Sequence, residues 1–343
     1  MNKLIRKAVQ KMNPYTPGEQ PNDPGIVKLN TNENPYPPSP KIAAVMQRPF
    51  ETLRLYPDPL CVRLREGIAR LHGCRVEQVF VGNGSDEVLA LCARAFVEPA
   101  GSIGYFEPSY SLYPVLAAIQ ELETRPVRLT RDFGWTMPPR YSASLFFLAN
   151  PNAPTSIQYP AATVARFCRS FAGVVVIDEA YVDFASYHCA NLALSLGNVL
   201  VARTMSKSYS LAGLRLGYAL GPEALISALY KIKDSYNVDR LAQAIALAAI
   251  TDTEHMKRNV KSITKTRAKA VKELEKRGFR VFPSETNFLW VRPPAVNAET
   301  LFAALRKKKI LVRYFPGALT GDYLRVTIGT DAQMAALLTA LDR

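Results

Sequence analysis

Cysteine is scarce in this chain of 343 residues, and its arrangement excludes several classes of protein. The five cysteines are odd in number, include no Cys-x-x-Cys pair and mostly have apolar neighbours; they are Cys61, Cys74, Cys92, Cys168 and Cys189. This pattern is typical of a reduced, cytoplasmic protein, and it argues against both a disulfide framework and a zinc site.

The chain also lacks a long apolar run. No stretch approaches the roughly 20 uninterrupted apolar residues that a membrane-spanning helix needs. Residues 1–11 carry charges where a signal peptide would have its apolar segment. Hydrophobic residues make up 48% and charged residues 21%, which is an ordinary globular composition. We therefore expect a soluble cytoplasmic protein.

Negative charge is in short supply, since 29 acidic residues stand against 43 Lys and Arg, for a net charge of +14. Such an excess is compatible with a nucleic-acid binder, an anionic membrane surface or a site for polyanionic small molecules. The densest basic runs are residues 306–309 and 257–276, and the second alternates lysines with apolar residues at helical spacing. No aromatic stripe accompanies them, so we favour a solvated surface over nucleic-acid binding.

Helices alternate with short apolar strands from about Ser39 onward. Strands are predicted at residues 78–82, 102–106, 144–149, 173–178 and 198–203, with helices over 62–71, 85–96 and 110–120 and a long helix pair over 222–277. Continuous Val, Ile and Phe runs between helices indicate an α/β fold with a mainly parallel sheet that is covered on both faces.

The two ends of the chain have a different character. The first forty residues are rich in Pro and Asn and predict an extended arm. Beyond residue 277, strands at 279–282, 287–291, 310–314 and 323–328 with helices at 298–308 and the C-terminus predict a small α+β unit. We expect an arm over 1–38 packing on the small domain, a large domain over 39–255 and a small domain over 256–343.

Chemically distinctive residues follow three of the predicted strands, where open α/β sheets bind their ligands. Gly82-Asn-Gly-Ser-Asp-Glu87 opens into a helix whose first N–H groups could bind an anion, although Ser85 or Asp86 could simply cap it. Asp178 leaves a wholly apolar strand and needs a cationic partner, or else caps a helix. Lys207 lies among serines, where a lysine can act as a Schiff-base nucleophile.

Together with Arg215, these groups are what pyridoxal phosphate requires. The lysine bonds to the cofactor's aldehyde, and the carboxylate keeps the pyridine nitrogen protonated. The helix N-terminus, the serines and the arginine hold the phosphate.

At this point the chain resembles the fold-type-I, class II aminotransferases, and within them the histidinol-phosphate aminotransferase family. The matching motifs run nearly end to end: Leu29-Asn-Thr-Asn-Glu33, Tyr56-Pro-Asp58, Gly82-Asn-Gly-Ser-Asp-Glu87, Glu107-Pro-Ser-Tyr110, Asn150-Pro-Asn-Ala-Pro-Thr155, Asp178-Glu-Ala-Tyr181, Ser206-Lys207, Ala212-Gly-Leu-Arg215, Lys233-Asp-Ser-Tyr-Asn237, Glu285-Thr-Asn287 and Leu324-Arg-Val-Thr-Ile-Gly-Thr330. The resemblance implies a large domain with a mainly parallel seven-stranded sheet between helices, and a smaller α+β domain.

The resemblance also implies roles for single residues. The catalytic residues would be Lys207, Asp178 and Tyr181, with Tyr181 donating to the ring hydroxyl of the cofactor. Further cofactor contacts would come from Ser85, Asp86, Tyr110, Asn152, Ser206, Arg215 and, in the neighbouring subunit of a homodimer, Tyr56. Substrate would be bound by Tyr15, Asn32, Tyr236, Arg313 and Arg325. No metal is expected.

The chain departs from the family pattern at two positions, because the family often has Asn-Pro-Thr-Gly where this chain has Ala153-Pro154-Thr155-Ser156. Alanine replaces the asparagine that would bind the ring hydroxyl, so Asn152 must substitute for it or the contact is lost. Serine replaces the glycine, which is expected to alter the turn. The implied reaction is transamination between L-histidinol phosphate and 2-oxoglutarate in histidine biosynthesis. An aromatic amino-acid aminotransferase and a phosphothreonine decarboxylase, which share most of these motifs, stay open as alternatives.

Overall fold

A computed structural model describes residues 4–47 and 50–342. Its strands, in chain order, are β1 Val27–Lys28, β2 Val79–Gly82, β3 Ser102–Glu107, β4 Glu123–Arg128, β5 Leu145–Ala149, β6 Val174–Asp178, β7 Val199–Thr204, β8 Gly217–Leu220, β9 Arg280–Val281, β10 Phe288–Arg292, β11 Ile310–Leu311, β12 Arg313–Tyr314 and β13 Leu324–Thr327. The helices are α1 Lys7–Lys11, α2 Ile42–Met46, α3 Val62–His72, α4 Gly84–Phe96, α5 Leu112–Ile119, α6 Ala161–Ser170, α7 Ala190–Ser195, α8 Glu223–Ile232, α9 Arg240–Ile250, α10 Thr253–Lys276, α11 Ala298–Lys307 and α12 Asp331–Leu341.

The largest sheet has seven strands in the order β2-β8-β7-β6-β5-β3-β4. All neighbours are parallel except β8, which is antiparallel to both β2 and β7. Alternate side chains of β5 enter opposite cores, with Phe147 packing beside α4 and α5 and Phe146 packing beside α6. This arrangement confirms the predicted α/β fold with a mainly parallel, doubly covered sheet.

Two strands of this sheet were not predicted from the sequence. β4 is an edge strand whose charged residues are largely exposed, so it has no continuous apolar run. β8 is a buried Gly-Tyr-Ala-Leu segment of only four residues. Neither pattern meets the length and hydrophobicity by which the other strands could be recognised.

The predicted long helix pair over residues 222–277 is wrong, because three helices occupy that stretch. α8 ends at Ile232, and α9 starts after Asp239, whose side chain accepts a hydrogen bond from the Ala242 backbone at 2.8 Å. Such an N-cap starts a new helix rather than continuing the previous one. α9 ends at Ile250, and α10 follows at Thr253.

A four-stranded antiparallel sheet, ordered β12-β13-β10-β9, forms the C-terminal α+β unit with α10, α11 and α12. The predicted strand at 310–314 is divided, since β11 pairs in parallel with β1 of the N-terminal segment while β12 pairs with β13. The N-terminal arm is thus attached to the small unit, and the boundaries between domains stay a prediction. No helix in the described residues is both long and apolar enough to cross a membrane.

Candidate active site

A cleft of about 930 Å³ lies between the carboxyl ends of the large sheet's strands and the small sheet. It brings together residues that are far apart in the sequence and that the sequence analysis singled out: Tyr15, Asn32, Ser85, Asp86, Tyr110, Asp178, Tyr181, Ser206, Lys207, Arg215, Arg313 and Arg325. This is the position at which open α/β sheets bind ligands.

Lys207 follows β7 and extends into the cleft. Its Nζ lies 3.4 Å from the Thr31 carbonyl oxygen and 5.9 Å from the centre of the Tyr181 ring. Burial lowers the pKa of Lys207 to about 8, and repulsion by Arg325 acts in the same direction. About a tenth of this amine is therefore unprotonated at pH 7, far more than for an ordinary lysine, and the unprotonated form is the one that a nucleophile or a general base requires.

Asp178 ends β6 and is buried in the wall of the cleft. It accepts hydrogen bonds from the Tyr113 hydroxyl at 2.9 Å and from the Ala180 backbone N–H at 3.1 Å. Burial raises its pKa to about 6 despite these donors. Among the described residues no cationic side chain forms a salt bridge with it, so the carboxylate has unused capacity for a cationic N–H donor.

Tyr113 was missed by the sequence analysis. It is fully buried in α5, with its ring stacked on Phe147 at 4.8 Å between centroids, and its hydroxyl reaches Asp178. The available signal was its spacing of three residues from Tyr110, which places both rings on one side of the chain at helical spacing. That spacing is also what an ordinary core aromatic would show.

The N-terminus of α4 forms one end of the cleft. Gly84 has φ of +77°, and a Cβ there would lie 2.6 Å from Nη2 of Arg215. Arg215 pairs with Asp86 at 3.2 Å, and the Tyr110 hydroxyl donates to the same carboxylate at 3.1 Å. Free backbone N–H groups in the first turn of this 13-residue helix, next to a guanidinium, suit an anion such as a phosphate.

Two arginines from the small sheet form the other end. Arg313 on β12 and Arg325 on β13 are cross-strand neighbours. Nη2 of Arg325 donates to the Asn30 carbonyl at 2.9 Å, its Nε has no partner, and its guanidinium lies 5.3 Å and 5.2 Å from the ring centres of Phe288 and Phe315. Arg325 lines the cleft and brings a positive charge to this end of it.

Arg313 is occupied differently. Its two terminal nitrogens donate to the carbonyls of Thr16 at 2.8 Å and Pro17 at 3.1 Å. These bonds hold the arm at the cleft, where the Tyr15 ring packs edge-on against Tyr110 at 5.7 Å between centroids. Arg313 thus shapes the cleft wall and adds positive charge beside Arg325.

Three of the predicted site residues do not line the cleft. Asn152 is fully buried behind it and donates to the Tyr159 hydroxyl at 2.9 Å and to the Pro108 carbonyl at 3.2 Å. Ala153 and Pro154 form the wall instead. Contrary to the expectation, Asn152 is therefore not placed to supply the contact that alanine lacks.

Tyr56 and Tyr236 are the other two. Their rings stack on each other with centroids 4.3 Å apart, and both are exposed. Neither belongs to the cleft of its own chain. Metal-binding clusters of three or more His, Cys, Asp or Glu side chains are absent from residues 4–47 and 50–342.

The sequence matches the family described as aminotransferase class I and II over residues 24–341. This chain belongs to the class I and II aminotransferases. Within that family it is 44% identical to a histidinol-phosphate aminotransferase of Geobacter sp. strain M21, covering 98% of this chain and 97% of the relative. It is 40% identical to that of Microcystis aeruginosa, again over 98% and 97%.

A solved structure shows that this chain also has the fold of the class I and II aminotransferases. The crystal structure of histidinol-phosphate aminotransferase from Sinorhizobium meliloti in complex with pyridoxal-5'-phosphate superposes with a TM-score of 0.89. The match covers 99% of this chain and 97% of that one at 24% identity. The sheet order and the small C-terminal unit are therefore those of a fold-type-I aminotransferase.

Proposed function

We propose that the protein transfers the amino group of L-histidinol phosphate to 2-oxoglutarate with pyridoxal phosphate as cofactor, in histidine biosynthesis in the cytoplasm. The products are imidazole-acetol phosphate and glutamate. The observation that carries this proposal is one cleft that holds a lysine of lowered pKa, a buried carboxylate without a cationic partner and anion-binding groups at both ends. The full-length similarity to histidinol-phosphate aminotransferases supports the same substrate pair.

The cleft fits pyridoxal phosphate on its own features. Asp178 has room for a cationic N–H donor, which a protonated pyridine nitrogen provides. The first turn of α4, Ser206 and Arg215 can hold a phosphate, and Gly84 lets the Arg215 guanidinium approach this turn, since a Cβ there would lie 2.6 Å from its Nη2. The Tyr110 ring lies between these groups and Tyr15 at the cleft wall.

When bound, pyridoxal phosphate supplies an aldehyde for the substrate amine and a ring that withdraws electrons from the substrate's α-carbon. Asp178 would hold the proton on the ring nitrogen, since its buried charge is stabilised by that proton. Lys207 would remove the proton from the substrate's α-carbon as general base and deliver it as general acid to the carbon that had been the cofactor's aldehyde. Tyr181, whose ring centre lies 5.9 Å from Nζ of Lys207, would donate its hydroxyl proton to the ring oxygen of the cofactor.

Substrate recognition falls to Arg325, with Arg313 beside it. Histidinol phosphate has no α-carboxylate, and its phosphate ester takes the place of that group in glutamate. One cationic site must then accept a dianion in one half-reaction and a monoanion in the other. The planar guanidinium of Arg325 can bind both groups through two parallel N–H donors, whereas a lysine acts as a point charge.

We further propose a homodimer in which Tyr56 reaches the partner's cofactor. Tyr56 is 76% exposed, and exposed Met46, Leu53, Leu55 and Leu60 lie near it in the sequence. Half of the residues that line a cavity of about 510 Å³ between this segment and α9 are Leu, Val or Ala, and Asp58, Arg63 and Arg240 are the charged ones. An apolar surface of this kind suits contact with a second copy of the chain.

The test is a comparison of amino donors with the purified, cofactor-loaded protein. With 2-oxoglutarate as acceptor, histidinol phosphate should give a higher kcat/KM than phenylalanine, tyrosine or phosphothreonine. Carbon dioxide released from phosphothreonine would favour the decarboxylase instead, and a preference for phenylalanine or tyrosine would favour the aromatic aminotransferase. Lys207→Ala should abolish turnover and the absorbance of the lysine-bound cofactor, and an active Lys207→Ala protein would overturn the mechanism.

A further inference from the structure

Asn32 lies at the centre of a buried hydrogen-bond chain that joins the small sheet to Tyr181. Its backbone N–H donates to Oγ1 of Thr327 at 3.0 Å, and that hydroxyl donates to Oδ1 of Asn32 at 3.0 Å. Nδ2 of Asn32 donates to the Tyr181 hydroxyl oxygen at 2.9 Å. The Asn32 carbonyl accepts from Asn287 at 2.9 Å, so every polar group of Asn32 is engaged.

Thr327 links the backbone of Asn32 to its side chain. The threonine oxygen accepts the bond from the backbone N–H, and the threonine hydroxyl donates its single proton to Oδ1 of Asn32. The amide of Asn32 is thereby oriented with Nδ2 toward Tyr181. Because this nitrogen can only donate, the Tyr181 oxygen is the acceptor.

The hydroxyl proton of Tyr181 is consequently free for another partner. In the part of the chain that the structure describes, no acceptor takes it, and Tyr181 lines the cleft. Ala153 and Pro154, which also line the cleft, have no side-chain donor. Tyr181 can therefore give a ligand oxygen the hydrogen bond that the side chain of Ala153 cannot.

We propose that Asn32 and Thr327 are positioning residues that keep the Tyr181 hydroxyl proton directed into the cleft, toward the ring oxygen of bound pyridoxal phosphate. This inference rests on the proposed function. It assigns to Asn32 a role through Tyr181 rather than the direct substrate contact expected from the sequence.

Other groups also face Tyr181 and act on it through space. Arg325 favours its ionised form, whereas Asp178 and Asp86 oppose it. The Lys207 ammonium lies over its ring, Tyr110 is close enough to interact electrostatically, and Phe288 packs edge-on at 5.1 Å. All of these groups remain in Thr327 and Asn32 variants, so a change in Thr327→Val reports on the hydrogen-bond chain. Asn32→Asp also adds a carboxylate, and only the part of its shift that depends on the Tyr181 hydroxyl reports on the chain.

The experiment is a pH titration of the visible absorbance of bound pyridoxal phosphate without substrate, in wild type, Thr327→Val, Asn32→Asp and the matched control Thr327→Ser. Serine keeps the hydroxyl and should leave the midpoint unchanged. Thr327→Val removes the hydroxyl that orients the Asn32 amide, and the carboxylate of Asn32→Asp accepts the Tyr181 proton. Both changes take the Tyr181 hydrogen bond away from the ring oxygen of the cofactor, so both should raise the midpoint. Loss of one donor to an anionic oxygen predicts a shift of roughly one pH unit, or about tenfold.

A double-mutant cycle separates positioning from a general structural effect. In a Tyr181→Phe background the shift caused by Thr327→Val should disappear, and the shift caused by Asn32→Asp should fall to the part that its added charge exerts through space. An equal shift in that background, or unchanged midpoints in both single variants, would overturn the inference alone. A wild-type protein that binds no pyridoxal phosphate would overturn the proposed function itself. Asn32→Asp keeps the test decisive where Thr327→Val does not fold.

Discussion

At the scale of single residues, the buried, ionised carboxylate of Asp178 destabilises the folded protein. Its folded-state pKa of about 6 exceeds its ordinary value of 3.8, so the folded state binds more protons between these pH values. Stability is therefore lost as pH rises from 3.8 to 6, and the full penalty above pH 6 is up to about 3 kcal/mol.

Asp178→Asn should accordingly stabilise the cofactor-free protein at pH 7.5 and have little effect near pH 4. Denaturant unfolding at both pH values measures this difference. Asp322→Asn, which removes an exposed carboxylate paired with Arg292, serves as the matched control and should show no comparable gain at pH 7.5. If Asp178→Asn is no more stable than wild type at pH 7.5, burial of the ionised carboxylate does not destabilise the folded protein.

Arg325→Lys should slow both half-reactions by about 2 kcal/mol or more, because a lysine cannot form a bidentate contact with either carboxylate or phosphate. It also lacks the planar guanidinium whose central carbon lies 5.3 Å and 5.2 Å from the ring centres of Phe288 and Phe315. Single-turnover rates with histidinol phosphate and with glutamate measure the effect. Arg292→Lys, at an exposed ion pair, is the control, and normal rates for both substrates would remove Arg325 from the site.

The sequence predicted Lys207 and Asp178 as reactive groups because ionisable residues at the ends of apolar strands have few structural uses. It could not predict Tyr113, whose contact with Asp178 spans 65 positions and leaves no local pattern. For the same reason the hydrogen bonds of Asn32 were not predicted. Its partners Tyr181 and Thr327 are separated from it by 149 and 295 positions.

At the scale of elements, a buried ion pair joins the ends of β6 and β7. Nε and Nη2 of Arg203 lie 2.9 Å and 2.8 Å from Oε2 of Glu179, and Glu179 also accepts a hydrogen bond from the Cys189 backbone. Glu179 directly follows Asp178, and Arg203 precedes Lys207 by four residues. The pair therefore fixes the relative positions of the two strand ends that carry the reactive groups.

Arg203→Met should lower the free energy of unfolding by about 3–5 kcal/mol, since it leaves the Glu179 charge buried without a partner. Adding Glu179→Gln, which keeps an acceptor for Cys189, should restore most of that loss. Chemical denaturation of the two variants and wild type gives the comparison. If the double variant is as unstable as Arg203→Met, the unpaired Glu179 charge is not the cause of the lost stability.

Elements were predictable where hydrophobicity was continuous, as in β5, β6 and β7. Elements were not predictable where the strand with which they pair determines the structure. Val312 separates β11 from β12, and only the partners, β1 for one and β13 for the other, place them in two different sheets. The break between α8 and α9 likewise depends on the cap at Asp239, which a search for periodicity alone passes over.

At the scale of the whole molecule, the proposed homodimer predicts a link between assembly and cofactor retention. If Tyr56 serves the partner's cofactor, dilution to monomer should release pyridoxal phosphate. Tyr56→Ala should weaken retention in the dimer at constant protein concentration. Sedimentation with simultaneous detection at the cofactor's absorbance measures both quantities. Equal retention in a verified monomer would contradict the role of Tyr56.

The lowered pKa of Lys207 also sets its chemical reactivity apart from that of other lysines. At pH 8 about half of this amine is unprotonated, against roughly 0.4% for a lysine with an ordinary pKa near 10.4. A limiting dose of a small amine-acylating reagent should then label cofactor-free protein first at Lys207, as peptide mass mapping would reveal. Prior loading with pyridoxal phosphate should protect this site. The extent of acylation at Lys207 would then measure the fraction of active sites without cofactor.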